Sequence, residues 1–268
     1  MTSTLVRLVL SDVDGTLLNA NKELSSRAIA MVDRLREADI LFALTSSRPP
    51  RGIAMFVEPL HLTTPLAAFN SAMIVEPELG IIEQRAIDDD VSSQIIALLD
   101  EHHISIWLYR GDEWYVRDLN GPHTQHEASV VDFQPLQLAN FDAVCTDVAK
   151  IVGVSDDVNA MSEVQAAMQE KFGTRVGATA SQSYYLDITH PLANKGSAVE
   201  YFADRFSIPT NAIATIGDAY NDISMFERSG LSIAMGNAVD EVKAAAREVT
   251  TSNDDDGFAN AIERFILS

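Results

Sequence analysis

The chain has a single cysteine, Cys145, among 268 residues, so no internal disulfide can form. A lone thiol with no catalytic neighbour reads as a small buried apolar residue, and a reducing cytosol is its natural compartment. Basic residues are also scarce. Lys and Arg number 19 against 39 Asp and Glu, a formal net charge of −20. That excludes nucleic acid and anionic membrane as expected partners, because both demand basic patches. No apolar run approaches the roughly 20 residues that cross a bilayer. The stretch Met1 to Leu10 is too short and too strand-like for a signal peptide. The expectation is a cytoplasmic protein that handles small molecules, and no feature sets an oligomeric state. What remains is ordinary globular composition, 47% hydrophobic and 22% charged, with enough length to bury a core without staples.

No internal repeat or low-complexity segment is present. Leu5 to Leu10 reads as a buried strand that stops at the polar loop Ser11 to Thr16. Ser25 or Ser26 can cap a following helix, in which Ile29, Val32, Leu35 and Arg36 repeat at 3.6 residues. Ile40 to Leu44 and Leu66 to Phe69 are further strands, ended by Thr45–Pro50 and Asn70-Ser71. Strand, helix and strand with near-continuous apolar strands predict a parallel sheet covered on both faces. The pattern resumes with helices at Lys195–Phe206, Ile223–Arg228, Val239–Arg247 and Phe258–Ile266, and strands at Ala212–Ile216 and Leu231–Met235. Between these halves the texture is β-rich and aromatic. Ile104–Tyr109 and Trp114–Val116 flank the hairpin signal Arg110 to Glu113, Ile151–Val154 and Tyr184–Ile188 read as strands, and Val158–Phe172 as a helix. The fold class is therefore α/β, a Rossmann-like parallel-sheet core in two parts, 1–85 and 190–268, with an inserted α+β cap at 86–189.

In open α/β sheets ligands bind outside the carboxyl ends of the strands. Four polar clusters fall there: Asp12 to Thr16, Ser46-Ser47, the region of Lys195, and Gly217 to Asp222. Asp12 and Asp14 either converge on one metal from a loop or simply form an Asx-type turn. Gly15 allows a sharp turn, and Thr16 either satisfies local amides or touches a phosphate oxygen. Ser46 and the amides at Ser47 either hold a phosphoryl oxygen or close a turn. Lys195 at a helix start opposes the macrodipole, which makes sense if it faces an anion. Asp218 offers a further oxygen ligand, and Asp222 orients either Lys195 or a metal-bound water.

DVDGTLL at 12–18, TSSRP at 45–49, NKGSAV at 194–199 and GDAYNDISMF at 217–226 together resemble the four motifs of the haloacid dehalogenase superfamily, in its Cof-type branch. FNSAMI at 69–74 resembles that family's phosphate-side NGA segment, with Ser71 where glycine is usual. The second motif departs most, with Ser46-Ser47 replacing Thr-Gly. Asp14 and Ser46 lie 32 positions apart, room for a helix and a strand, whereas 149 positions separate Ser46 from Lys195. The insertion thus follows the second motif, as in the Cof-type branch.

The resemblance implies a Mg²⁺-dependent phosphatase acting on a small-molecule phosphate ester, such as a sugar phosphate, through an aspartyl-phosphate. It makes Asp12 the nucleophile, Asp14 the acid and base, and Ser46, Ser47, Asn70, Thr16 and Lys195 the phosphate side. The metal would take the Asp12 carboxylate, the Asp14 backbone carbonyl and Asp218, with Asn221 and Asp222 in support; oxygen ligands suit magnesium. Superfamily members lacking the second carboxylate cleave carbon–halogen or carbon–phosphorus bonds, so Asp14 favours ester hydrolysis. The alternatives are phosphoryl transfer to a second sugar and a non-catalytic sugar-phosphate sensor. Other polar groups read more plainly. His102, His103, His123 and His126 are surface or packing residues, Asp88–Asp90 and Asp254–Asp256 cap helices, and Trp107, Tyr109, Trp114 and Tyr115 pack the cap sheet. Asp187 and His190 adjoin the return to the core.

Overall fold

A computed structural model describes residues 5–268. Residues 1–4, where the expected signal-free start begins, lie outside it. Strands β1 (Leu8–Ser11), β2 (Leu41–Thr45), β3 (Leu66–Ala68), β4 (Met73–Val75) and β5 (Ile81–Gln84) come first. Then follow β6 (Ser105–Arg110), β7 (Glu113–Val116), β8 (Leu136–Gln137), β9 (Lys150–Val154), β10 (Gly177–Gln182) and β11 (Tyr185–Thr189). The chain ends through β12 (Ile213–Gly217), β13 (Leu231–Ala234) and β14 (Glu248–Val249). The longer helices are α1 (Ser26–Glu37), α2 (Asp89–Glu101), α3 (Thr124–Val131), α4 (Val158–Phe172), α5 (Lys195–Phe206) and α6 (Gly257–Phe265).

Two sheets result. The first runs β14-β13-β12-β1-β2-β3-β4-β5, parallel as far as β3 and antiparallel beyond it. Its central strands are apolar on both faces, as a sheet covered by helices on each side requires. Val9, Phe42, Leu44, Ala214 and Ile216 face one layer, in which α1 supplies Val32 and Leu35 and α6 supplies Phe258 and Ile262. Leu8, Leu10, Ala43 and Ile213 face the other, with Ala198, Val199 and Phe202 of α5. That alternation is the two-residue period of a strand expressed as two buried layers. Ser25 caps α1, its hydroxyl accepting the Ala28 amide at 3.1 Å.

The second sheet, β10-β11-β9-β6-β7-β8, is antiparallel except where β8 joins β7. Its outer face, with Leu108, Tyr115, Ile151 and Ile188, packs under α2 and α4 through Ile95, Leu99, Val164 and Met168. Its inner face, with Trp107, Tyr109, Trp114, Val152 and Val154, is continuous with the apolar layer of the first sheet. Of the four aromatics expected to pack the cap sheet, Tyr115 alone faces outward.

Several expectations are corrected. Leu5 is 78% exposed and β1 starts only at Leu8. The helix expected at Ile223–Arg228 ends at Phe226, and the one at Val239–Arg247 spans Asp240–Ala245. Cys145 is half-buried, its thiol donating to the Asp142 carbonyl, so it is not a core residue. Asp88 and Asp256 occupy N-cap positions, yet neither side chain caps: Asp88 pairs with Arg175 and Asp256 accepts from Ser25. Strands β4, β5 and β10 and helix α3 were not anticipated, being short or polar along their length. Among the described residues no helix is long and apolar enough to cross a membrane.

Candidate active site

The sheet order decides which loops meet. Strand β1 lies between β12 and β2, so the loops leaving their carboxyl ends are neighbours, and α5 delivers its first residue to the same spot. Asn194 caps α5 by accepting the Ser197 amide at 3.1 Å, which turns Lys195 inward. Lys195 is 1% exposed, and its ammonium donates to Asp12 Oδ1 at 2.5 Å and Asp222 Oδ1 at 2.6 Å. Asp222 spends its other oxygen on the amides of Asp218 and Ala219, both at 2.8 Å. Of the two roles open to Asp222, the geometry is that of a residue holding Lys195. Gly217 makes this possible, since a Cβ there would lie 2.4 Å from Asp222 Cγ.

Asp12, Asp218 and Asp222 present carboxylate oxygens within 4.8 Å of one another. Burial raises the Asp12 carboxyl well above its ordinary value, against the pull of Lys195. Burial and the charge of Asp222 push Asp218 up to about 6, with Lys195 opposing. Lys195 itself is raised, because the two carboxylates it touches outweigh its own desolvation. Gly15 turns at φ +80°, and a Cβ there would lie 2.3 Å from Asp218 Oδ2. Only glycine lets the first loop close over that carboxylate. Thr16 donates to Asp218 Oδ1 at 3.0 Å, and Asn237 to Asp218 Oδ2 at 3.2 Å. Thr16, expected on the phosphate side, therefore has its hydroxyl committed to orienting Asp218.

Ser46 is 1% exposed, and its oxygen accepts the Arg48 amide at 3.1 Å. It closes a turn, while its hydroxyl proton stays free to donate. The Asn70 amide bonds the Ser46 carbonyl at 2.8 Å, and the Asn70 side chain accepts from Asn221 at 3.0 Å. Asn221 Oδ1 and Ser71 Oγ are buried without partners. Phe69, Asn70 and Ser71 all have positive φ, between 52° and 73°. Three consecutive left-handed non-glycine residues store strain of a kind concentrated at binding sites, and the last of them explains why glycine is usual there.

Asp14 points away from this cluster. Arg48 grips its carboxylate with two bonds, at 2.6 and 2.8 Å, and Lys22 adds a third at 2.8 Å. Burial would raise this carboxyl, but the hydrogen bonds and charge of Arg48, joined by Lys22, hold it at about 2. The structure thus brings together Asp12, Ser46, Asn70, Lys195, Asp218, Asn221 and Asp222, with Ser47 on the cap side. Sequence reasoning missed Arg48, although it stands inside the quoted second motif, and also Asn237 and the cap residue Lys150. Lys150 donates to the Ser47 carbonyl at 3.3 Å across 103 positions of chain, and no local pattern announces that contact.

Comparison with known proteins identifies the family and its fold. The sequence profile of the haloacid dehalogenase-like hydrolases matches residues 9–262. A Haemophilus influenzae protein that carries a provisional phosphatase name is 32% identical over 258 residues, covering 96% of this chain and 97% of that one. The pyridoxal phosphate phosphatase YbhA of Escherichia coli is 28% identical over 273 residues, covering 97% and 99%. The crystal structure of a haloacid dehalogenase-like hydrolase from Bacteroides thetaiotaomicron superposes with a TM-score of 0.89 at 29% identity, covering 97% and 99%. The chain belongs to the haloacid dehalogenase-like hydrolase family, in its Cof-type branch, with the parallel-sheet core and α+β cap expected of it. It is a phosphoric monoester hydrolase.

Proposed function

We propose that the protein is a Mg²⁺-dependent phosphatase of small phosphorylated metabolites that works through an aspartyl-phosphate on Asp12. The observation that carries this reading is the buried grip of Lys195 on Asp12, placed beside Asp218 at the ends of two neighbouring strands. The donor set fits magnesium: oxygen ligands only, no Cys or His, and a glycine without which the Asp218 carboxylate has no room. Asp12, Asp218 and the Asp14 backbone carbonyl would hold the ion. When bound it supplies charge neutralisation for the phosphoryl group and the carboxylates around it.

Asp12 attacks phosphorus in line while Lys195 and the Ser46 hydroxyl stabilise the phosphoryl oxygens. The Ser47 amide completes that cradle. Asp14 protonates the leaving alcohol and then takes the proton of the water that opens the aspartyl-phosphate. For the first of these tasks it must leave the Arg48 fork, which holds it ionised. Asp222 positions Lys195, and Thr16 and Asn237 orient Asp218. Arg48, Lys22 and the cap close the leaving-group side. Pyridoxal phosphate, the substrate named for YbhA, and the 5-amino-6-(5-phospho-D-ribitylamino)uracil named for the Bacillus subtilis relative YitU are the first esters to assay.

The test is release of inorganic phosphate from a panel of monoesters with Mg²⁺ and the Asp12→Asn variant alongside. Turnover should vanish in that variant while its circular dichroism and thermal midpoint stay near those of the parent. Full activity in the variant refutes the mechanism. Transfer to an added sugar in place of phosphate release would favour a phosphotransferase.

A further inference from the structure

The inner face of the second sheet is apolar apart from one patch. Strand register puts Lys150, Asp187 and Tyr185 on the same side as Trp107, Tyr109 and Val152. Lys150 and Asp187, 7% and 8% exposed, pair at 3.0 Å, and the same ammonium reaches the Ser47 carbonyl. The patch therefore sits over the loop that carries Ser46. Glu127 joins it from α3, on the helix face shared with the buried Thr124, Ala128 and Val131. Helix α3 is pinned to the rim of the site, because Arg48 donates to the Val130 carbonyl at 3.0 Å while it holds Asp14. The Glu127 carboxylate has no hydrogen-bond or ion-pair partner among the described residues. Burial raises its protonation range, and the charges it feels are, in order, Lys150, Asp187, Arg48 and Asp14. Helix α3, the loop that carries Ser46 and the Lys150–Asp187 pair thus meet at one edge of the site. Trp114 Nε1 and Tyr185 Oη, on the same sheet face, are buried without partners.

Resting on the phosphatase reading above, we propose that Glu127, Asp187 and Lys150 form the leaving-group subsite, selecting esters of uncharged, hydroxyl-rich molecules and rejecting anionic leaving groups. A hydroxyl donates to a carboxylate and accepts from an ammonium, so a polyol satisfies all three side chains. An anionic leaving group meets two carboxylates and one lysine already bonded to Asp187, while the Arg48 charge is taken up by Asp14. Like charges facing each other among buried side chains discriminate strongly.

Sorbitol 6-phosphate and 6-phosphogluconate differ only in a terminal hydroxymethyl against a carboxylate, so the ratio of their kcat/KM values reads the subsite. Being a ratio, it is independent of how much of a variant is folded. The parent enzyme with Mg²⁺ should prefer sorbitol 6-phosphate by about tenfold or more. Glu127→Gln should shrink that ratio at least about fivefold, and Lys150→Met should enlarge it. A parent ratio near one, or both variants moving the ratio the same way or not at all, overturns the subsite. Hydrolysis of phenyl phosphate but of neither polyol ester overturns the subsite alone. No phosphate release from any of the three overturns the phosphatase reading together with it.

Discussion

Mg²⁺ should raise the thermal midpoint of the purified protein, and do so about twofold more at pH 7.5 than at pH 5. The reason lies in Asp218, whose carboxyl is pushed from 3.8 up to about 6 by burial and by Asp222. A group raised in the folded state binds its proton more tightly folded than unfolded. The stability linked to that proton is full below about pH 4 and is lost as pH rises through 6. The displacement corresponds to about 3 kcal/mol. Above pH 6 Asp218 is ionised in the metal-free protein, its oxygens lie within 4.8 Å of those of Asp12 and Asp222, and the Lys195 ammonium bonds only the latter two. A divalent cation replaces the missing proton, and at a hundred times its dissociation constant binding stabilises by about 2.7 kcal/mol. At roughly 2 to 4 °C per kcal/mol for a chain of this size, the shift at pH 7.5 should be about 5 to 10 °C. At pH 5 the proton on Asp218 weakens binding about tenfold, which leaves about 1.4 kcal/mol, so the shift should fall to about half. The assay is a thermal melt with and without MgCl₂ at both pH values, with NaCl matching the ionic strength. Equal shifts at the two pH values, or none at pH 7.5, would refute the electrostatic account of the site.

Two variants test the parts that hold the site together. Asp222→Ala leaves Lys195 with one partner and strands two amides, so it should cost about 3 to 5 kcal/mol in urea unfolding and lower kcat at least about a hundredfold. A fully active, equally stable variant would remove Asp222 from any positioning role. Arg48→Met frees Asp14, a depressed carboxyl whose stabilisation is present above about pH 4 and lost as pH falls through 2. The variant should be less stable than the parent by about 2 kcal/mol at pH 6, with the gap narrowing at pH 3. A gap that does not change with pH would show that Arg48 acts through packing and its carbonyl contacts alone.

Much of this site was legible because its groups travel with local punctuation. Asp12 ends an apolar strand, Gly15 marks a turn, Asn194 precedes a helical period, and Gly217 to Asp222 follows another apolar run. Each signal depends on neighbours a few residues away, which is the range over which strand and helix patterns act. Arg48 escaped because nothing local distinguishes an arginine that reaches back to Asp14 from one that is solvated. Lys150 and Glu127 escaped for a stronger reason, and Asp187 was marked only for its place beside the return to the core. They lie in two strands and a weakly amphipathic helix, and their shared face exists only once β9 pairs with β6 and β11. Thr16 shows the same limit in reverse: its position was expected, but its partner, Asp218, is 202 residues away.

The order and chemistry of the four clusters, and the 149 positions between Ser46 and Lys195, were written in the sequence alone. They define the parallel core, its inserted cap and the residues available for phosphoryl chemistry, because strand and turn preferences are short-ranged. The tertiary structure decided what each residue is committed to. It set β1 between β12 and β2, which put Lys195 against Asp12 and Asp222. It turned Asp14 toward Arg48, and it lowered Lys150 of the cap onto the carbonyl of Ser47. Those commitments are long-range and electrostatic, and they arise only where packing removes water and leaves each charge to find a partner.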